Sequence, residues 1–193
     1  MSHFFAYLNR LKLIRRWGLM RNAVPENDME HSMQTAMIAH GIAVLAQTRF
    51  AREVSPERVA TLALYHDASE VITGDLPTPV KYKNPAIQGA YHQLEALAST
   101  QLLDMLPPDL QGPFATWLMP DESSYEWRLV KAADRICAYL KCVEEEKAGN
   151  CEFDQAKQTI RASIDAIDLP EVQAFLKEFT PSFALSLDEL SRT

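Results

Sequence analysis

The 193-residue sequence is poor in glycine and cysteine and has no long uninterrupted apolar run. With six glycines and no useful stretch of alternating apolar and polar residues, little in it indicates a β-sheet. The three cysteines form no CxxC pair, which argues against a disulfide framework or a zinc knuckle and favours a reducing cytoplasm. No segment has the length of a transmembrane helix or the apolar core of a secretory signal, so no membrane association is expected.

Positive charge is also scarce. The formal net charge of -7 argues against a general nucleic-acid-binding protein. The first 25 residues are the exception, because they contain five basic residues and no acidic one. We interpret this segment as part of the folded domain that supplies positive charge to an anionic ligand, in preference to an organelle transit peptide.

Helical periodicity runs through most of the chain and predicts one all-α domain, a helical bundle, over residues 1–193. Asn27 or Asp28 can cap a helix that runs to about residue 48, with Met33 and Met37 on its apolar side. Ser55 followed by proline predicts the next helix, ending by residue 74. Further helices are expected near residues 85–105, 108–119, 124–149, 152–166 and 170–179, with an irregular tail from residue 181.

His66-Asp67 is the most informative pair of residues. It lies near the end of a helix that is otherwise apolar on one side, where charged groups are rarely placed without a partner. Imidazole and carboxylate ligands suit a divalent transition-metal ion. Alone, the dipeptide is better explained by a hydrogen-bonded His beside a solvated Asp.

Two residues on other predicted helices strengthen the metal hypothesis. His31 lies in the first turn of the preceding helix, and Asp134 lies among apolar neighbours in the middle of a long one. Burying an unpaired Asp is costly, and coordination to a metal would remove that cost. The order His31, His66-Asp67, Asp134 resembles the HD-domain metal-dependent phosphohydrolases. The lack of further His directly after the pair favours one metal ion over a two-metal centre.

Acidic residues follow the pair. Glu70 is four residues after His66 and three after Asp67, so a continuous helix would place all three on one face. A carboxylate beside the metal is placed to move protons, although a solvated helix-end Glu is an equally good explanation of the spacing alone. Asp75 begins a turn with two prolines, which is either a plain turn or a rigid wall of a substrate site.

A narrower resemblance covers essentially the whole chain. The sequence resembles the YfbR-like family of bacterial HD-domain 5'-deoxynucleotidases. The matching segments are residues 13–17, 30–32, 65–71, 73–81 and 181–189. At position 18 a glycine stands where a proline is expected after Trp17.

The resemblance implies hydrolysis of deoxyribonucleoside 5'-monophosphates in preference to ribonucleotides, by a cytoplasmic homodimer with one divalent metal ion. Cobalt is the expected ion, with manganese or others as alternatives. The implied metal ligands are His31, His66, Asp67 and Asp134. The implied catalytic residues are Glu70 and Asp75. The implied substrate-binding residues are Arg16, Trp17, His31, Asp67, Asp75, Leu76, Pro77, Thr78 and Asp134.

Arg16 and Trp17 are chemically suited to these roles. A guanidinium group can neutralise a phosphate through two hydrogen bonds. Trp17 could pack against the sugar, where a 2'-hydroxyl would clash or lose its hydrogen bonds. Without the resemblance, a surface Arg beside a core Trp is the favoured explanation of the pair.

Two alternatives to a deoxynucleotidase remain. One is a different HD-type activity, such as hydrolysis of cyclic nucleotides or nucleoside triphosphates. The other is a non-catalytic nucleotide-binding module in which the metal site is structural. The presence of Glu70 and Asp75 argues against the second, because a structural site does not need them.

Overall fold

The computed structural model describes residues 1–81 and 83–192, and its regular secondary structure there is helical. The predicted all-α class is confirmed. One isolated antiparallel bridge joins Arg15 to Asn27. The helices are α1 (Phe4–Leu8), α2 (Asp28–Phe50), α3 (Pro56–Tyr65), α4 (Glu70–Thr73), α5 (Thr78–Lys81), α6 (Pro85–Asp104), α7 (Pro108–Leu118), α8 (Tyr125–Lys147), α9 (Asp154–Asp165), α10 (Pro170–Phe179) and α11 (Leu187–Leu190), with 3₁₀ turns at Asn9–Leu13, Cys151–Phe153 and Thr180–Ala184. Over the described ranges, no helix combines the length and apolar character needed to cross a membrane.

The main core is formed where α2 packs against α3, α8 and α10. Ile42, Leu62, Ile136, Leu140 and Val172 are among its fully or almost fully buried side chains. Burying a side chain of this size stabilises the fold by about 1.5–3 kcal/mol. This packing fixes α2, α3 and α8 relative to one another; α2, α8 and the turn that follows α3 carry the predicted ligands.

A smaller core lies beside the turn after α3. Phe4 of α1, Leu102 of α6 and Leu118 of α7 pack there around Ala68. Ala68 is buried and directly follows Asp67, so this core holds in place the turn that carries the predicted ligand pair.

The start of α2 is fixed by a capping box. The Asn27 side chain accepts hydrogen bonds from the backbone N–H groups of Met29 and Glu30, and the Glu30 side chain accepts one from the Asn27 backbone. Such caps satisfy backbone donors that a helix leaves unpaired at its N-terminus. His31, the fourth residue of α2, therefore has a defined position.

The predicted continuous helix from residue 56 to 74 is wrong. α3 ends at Tyr65, and α4 begins only at Glu70. In the turns between them, the Ala68 N–H donates to the Tyr65 carbonyl and the Glu70 N–H donates to the Asp67 carbonyl. The Ala63 carbonyl, which would accept from Asp67 in a continued α-helix, accepts instead from the His66 imidazole.

The predicted burial of Met33 and Met37 is also wrong, because these side chains are 53 % and 60 % exposed. The face of α2 that packs into the core is lined by other, smaller residues such as Ala39, Ile42 and Ala43. The tail from residue 181, predicted to be irregular, contains a 3₁₀ turn and the short helix α11.

Candidate metal centre and active site

Side chains from α2, the turn after α3, and α8 converge at one point. His31 Nε2 lies 3.1 Å from Asp134 Oδ1 and 3.6 Å from Asp67 Oδ2. His66 Nε2 lies 3.1 Å from the same Asp67 oxygen and 4.0 Å from the same Asp134 oxygen. One ligand atom each from His31, His66 and Asp134 fits within a 4.8 Å span, so a single ion could contact all three. The structure thus brings together the four residues that the sequence predicted as ligands.

The His66 ring is oriented for coordination by its own helix end. Its Nδ1 lies 2.7 Å from the Ala63 carbonyl, to which it donates a hydrogen bond. A metal-binding histidine commonly donates its second ring N–H in this way, which fixes the tautomer and leaves the other nitrogen for the metal. Here that nitrogen is Nε2, which is buried, faces Asp67 and makes no hydrogen bond. An orphaned imidazole nitrogen between two carboxylates fits a divalent cation.

Opposed effects set the charge states of the ligands. Burial lowers the pKa of His66, but Asp67 and Asp134 raise it more, so the net pKa lies above the usual value. Burial together with Arg16 lowers the pKa of His31. Burial raises the pKa of Asp67, but the opposing effect of His66 is larger. The net pKa of this carboxyl group lies below its usual value.

Asp134 is held as a carboxylate from a second side. Lys131, one turn earlier on α8, donates a hydrogen bond to Asp134 Oδ2 at 2.6 Å. Burial raises the pKa of Asp134, but Lys131, His31 and His66 lower it well below the usual range. The two carboxylates are therefore available as anionic ligands at neutral pH.

Unpaired buried polar atoms concentrate at this site. Within the described residues, nine buried side-chain N or O atoms lack a hydrogen bond, and six of them belong to Arg16, Asp28, His31, His66 and Glu70. Buried polar groups are normally hydrogen-bonded, and exceptions call for an explanation such as a missing ion or ligand. The concentration here fits a site that binds both a cation and a polar substrate.

Glu70 lies beside the cluster in the first turn of α4 and is only 6 % exposed. Burial, together with the charges of Asp67, Asp28 and Asp75, raises the pKa of Glu70 to about 11. In the metal-free site, burial and the neighbouring carboxylates therefore favour the protonated form of this side chain. The shared helix face predicted for Glu70 and His66 is wrong, but the turn between α3 and α4 still brings Glu70 to the site.

Arg16 brings a second positive charge to the site, beside that of Lys131. Its Nη1 lies 3.4 Å from Asp67 Oδ2 and 3.9 Å from Asp28 Oδ1, and its Nε lies 3.3 Å from Glu26 Oε2. Burial lowers the pKa of Arg16, but the surrounding carboxylates raise it above the usual value, so the group stays charged. The basic N-terminal segment thus delivers one guanidinium directly to the candidate metal ligands.

Trp17 lies next to Arg16, partly buried, with its ring 5.2 Å from that of Phe153. Its indole N–H donates a hydrogen bond to Glu26 Oε2 at 3.2 Å. The backbone of Trp17 has φ +59°, in the left-handed region that bulky residues rarely occupy. Asp75 faces Arg16 and the Trp17 backbone, and burial near Asp67 raises the pKa of its carboxyl group.

Exposure to solvent increases along the loop after Asp75. Leu76 and Pro77 are partly buried, whereas Thr78 is exposed at the start of α5. Gly74, with φ +72°, permits the turn, and its carbonyl accepts a hydrogen bond from the Tyr91 hydroxyl at 3.3 Å. The structure therefore joins Asp75 to the site through its interactions with Arg16, Asp67 and the Trp17 backbone.

Two acidic residues of the site were missed by sequence reasoning. Asp28 was considered only as a helix cap, yet it is fully buried, and burial together with nearby Asp67 and Asp75 raises its pKa to about 7 despite the opposing charge of Arg16. Glu26 bridges Arg16 and Trp17 and lies 3.8 Å from His31 Nδ1. The spacing of Asp28 three residues before His31 could have revealed the first; no spacing signal pointed to the second.

An all-α bundle in which three helical segments present two histidines and two carboxylates, with an arginine alongside, defines an HD-type metal-dependent phosphohydrolase. The family model described as "5'-deoxynucleotidase YfbR-like" matches residues 3–183. The chain belongs to this family, which confirms the resemblance inferred from the sequence, and it is accordingly a hydrolase.

Curated relatives match along their full length. A 5'-deoxynucleotidase of Vibrio parahaemolyticus is 53 % identical over 191 residues, covering 98 % of both chains. A 5'-deoxynucleotidase of Yersinia pestis is 53 % identical over 194 residues, covering 99 % of this chain and 98 % of its own.

Solved structures share the fold at lower identity. An HD-domain phosphohydrolase from Listeria innocua has a TM-score of 0.79 at 23 % identity, covering 98 % of this chain and 92 % of its own. The HD phosphohydrolase DatZ of cyanophage S-2L, solved with dA and one catalytic Zn²⁺ ion, has a TM-score of 0.64 at 21 % identity, covering 92 % and 95 %. These likenesses confirm the HD-domain bundle.

Proposed function

We propose that the chain hydrolyses deoxyribonucleoside 5'-monophosphates to deoxynucleosides and phosphate, using one divalent metal ion held by His31, His66, Asp67 and Asp134. The observation that carries this proposal is the convergence of these four side chains beside Arg16 and the protonated Glu70. Full-length identity of 53 % to proteins named 5'-deoxynucleotidase supports the choice of substrate.

The residues divide the chemistry among them. When bound, the divalent ion supplies Lewis-acid polarisation of the phosphoryl group and makes water more acidic. Arg16 neutralises the charge of the phosphate. Its Nη1 lies 3.4 Å from Asp67 Oδ2, and the raised pKa of Arg16 keeps the guanidinium group charged. The enclosed setting strengthens this electrostatic interaction relative to water.

Two carboxyl groups carry out the proton transfers, one as the acid and the other as the base. Hydrolysis adds water to phosphorus and breaks the bond to O5', which leaves as the nucleoside hydroxyl after gaining a proton. Because Glu70 is almost fully buried and its pKa is raised to about 11, we assign it the donation of that proton. Asp75, which interacts with Arg16 and the Trp17 backbone, accepts the proton from the attacking water.

Trp17 provides the discrimination between sugars. Its indole lies next to the phosphate-binding Arg16, and its backbone faces Asp75. A ring in this position packs against C2' of a deoxyribose, whereas a 2'-hydroxyl there would be buried without a hydrogen bond. Leaving such a group unpaired costs about 1–3 kcal/mol, which corresponds to about fivefold to 150-fold in kcat/KM. Leu76, Pro77 and Thr78 form the remaining wall of the substrate site.

A substrate panel tests the activity. Metal-loaded protein is given dAMP, dATP and a cyclic nucleotide, and the products are separated by chromatography. We expect phosphate from dAMP. Release of pyrophosphate or triphosphate from dATP, or ring opening of the cyclic nucleotide without dAMP hydrolysis, would assign a different HD activity. Binding of dAMP without turnover of any substrate would assign a non-catalytic module.

Two histidine variants test the ligand set. His66→Ala should lose bound metal and activity together. His92→Ala is the matched control, because this histidine is half-exposed on α6 and pairs with Glu95, 3.2 Å away. Retention of stoichiometric metal by the His66 variant would exclude His66 as a ligand.

The metal, the assembly and the location complete the proposal. We expect Co²⁺ to support the highest activity, with Mn²⁺ also effective, because mixed imidazole and carboxylate ligands accept several divalent ions.

We propose a homodimer, supported by the resemblance and by the exposed methionines of α2, since apolar surface of this kind is frequent at protein interfaces. Light scattering gives its mass directly. Cys137 and Cys142 are buried and unbridged, which supports a cytoplasmic location.

A further inference from the structure

The segment between α1 and α2 is tied to the distant end of α8. Its two ends are joined near the site by hydrogen bonds from Arg16 N–H to Glu26 O and from Asp28 N–H to Ile14 O, each 3.2 Å long. We call residues 15–27, which carry Arg16 and Trp17, the Arg-Trp loop. The far part of this loop, residues 20–24, contacts the last turns of α8 and the residues that follow.

Glu145 is the centre of this attachment. Its carboxylate accepts hydrogen bonds from the backbone N–H groups of Ala23 at 2.8 Å and Val24 at 3.1 Å. It also accepts a 2.7 Å hydrogen bond from Asn150 Nδ2. The same amide group donates a second 2.7 Å hydrogen bond to the Arg21 carbonyl. Glu145 is completely buried, so its carboxylate depends on these donors for its hydrogen bonds. An acidic side chain on α8 thus fixes backbone positions on the Arg-Trp loop.

Lys141 completes the attachment one turn earlier. Its ammonium group donates hydrogen bonds to Glu145 Oε1 and to the Val24 carbonyl. It also lies 5.4 Å from the centre of the Phe153 ring. Phe153 is 1 % exposed, and its ring is the one against which Trp17 packs. One buried ion pair therefore holds both the loop backbone and the aromatic support of Trp17.

The conformation of Trp17 needs such a restraint. A left-handed φ at a residue with a side chain is less favourable than the usual regions, and it persists only where the surroundings enforce it. The residue after Trp17 is Gly18, an exposed position that adds no rigidity of its own. The restraint must come from contacts of the loop and of the indole ring.

We propose that Glu145, with Lys141 and Phe153, is a positioning residue for Trp17 and thereby sets the preference for deoxyribose over ribose. It touches neither the candidate metal ligands nor Arg16. It acts by holding the Arg-Trp loop so that the indole of Trp17 stays in place on Phe153 beside the substrate site. This inference rests on the sugar-sensing role proposed above for Trp17.

The test compares Glu145→Gln with two other variants. Glutamine keeps the shape of the side chain but replaces one carboxylate oxygen by an NH₂ group. Because both oxygens of Glu145 accept from N–H donors, this NH₂ group faces donors from which it cannot accept a hydrogen bond. Phe153→Leu removes the ring support of Trp17 by an independent route and serves if Glu145→Gln does not fold. Glu146→Gln is the matched control, because Glu146 is exposed and pairs with Lys157 away from the loop. Circular dichroism and metal content establish that each variant is folded and loaded.

Tryptophan fluorescence reports on position independently of catalysis. The difference between each protein and its Trp17→Phe counterpart isolates the emission of Trp17. We expect a red shift and about twofold greater acrylamide quenching of this component in Glu145→Gln and Phe153→Leu, and no change in Glu146→Gln. Unchanged Trp17 emission in a folded Glu145→Gln protein would overturn the inference.

Kinetics with dAMP and AMP report on specificity. We expect the ratio of kcat/KM for dAMP to that for AMP to fall about tenfold in both variants, through a higher KM for dAMP with kcat within about twofold of the unaltered protein. A shifted emission with an unchanged ratio would overturn the specificity role. Failure of the proposed function is distinguished by the unaltered protein itself, which would then show no preference for dAMP over AMP.

Discussion

Glu70→Gln is expected to lower turnover about 10²-fold to 10⁴-fold while leaving the metal site intact. Glu70 is almost fully buried, one of its oxygens makes no hydrogen bond, and its raised pKa keeps it neutral at pH 7. Glutamine is also neutral and has nearly the same shape, and it removes the cost of protonating this carboxyl group on folding, so the free energy of unfolding of the metal-free protein should rise at pH 7. What glutamine lacks is the acidic proton.

Losing a general acid typically lowers the rate about 10²-fold to 10⁴-fold, equivalent to about 3–5 kcal/mol in the activation free energy. The assay is phosphate release from saturating dAMP, with metal content measured on the same sample. Glu53→Gln is the control, because Glu53 is an exposed carboxylate outside the site. A wild-type kcat in Glu70→Gln would refute the proton-transfer role. Loss of metal in that variant would make Glu70 a ligand.

Three further predictions concern charge at the site. Arg16→Lys should raise KM for dAMP about tenfold or more with a smaller change in kcat, measured by steady-state kinetics, because an ammonium group cannot form the paired hydrogen bonds of guanidinium. Metal affinity should fall as the pH is lowered through the raised pKa of His66, since the imidazole must lose its proton to bind; calorimetry in buffers of different ionisation enthalpy should detect that proton, and an affinity independent of pH would contradict this. Asp28→Asn should stabilise the metal-free protein at pH 8. The pKa of Asp28 is raised from 3.8 to about 7, so the native state binds a proton that the unfolded state has lost, and stability falls as the pH rises through this window; the variant should lose that slope in denaturant titrations.

The helices were largely predictable because their signals are local. The Asn27 cap, the Ser55-Pro56 start and the apolar periodicity of α8 each indicate an element from neighbouring residues alone. The break between α3 and α4 was not predictable, because it depends on a hydrogen bond from the His66 ring to the Ala63 carbonyl. No propensity rule encodes that competition between side chain and backbone.

The candidate site was predictable where motifs specify it and not where packing does. His66-Asp67 stands out in the sequence, and its partners His31 and Asp134 follow from the motif order. Glu145 stands out in no pattern, since one acid near the end of a charged helix reads as a solvated residue. Its burial arises from a loop more than 120 positions away, as the Val24 contact shows.

The most direct test of the central claim is the rate of phosphate release from dAMP and from AMP by protein loaded with one equivalent of Co²⁺. The proposed site predicts rapid release from dAMP, much slower release from AMP, and none from either after the metal is removed with a chelator. Equal rates with the two nucleotides would contradict the role of Trp17. No release from dAMP by a folded, metal-loaded protein would contradict the assignment of these residues to a phosphohydrolase.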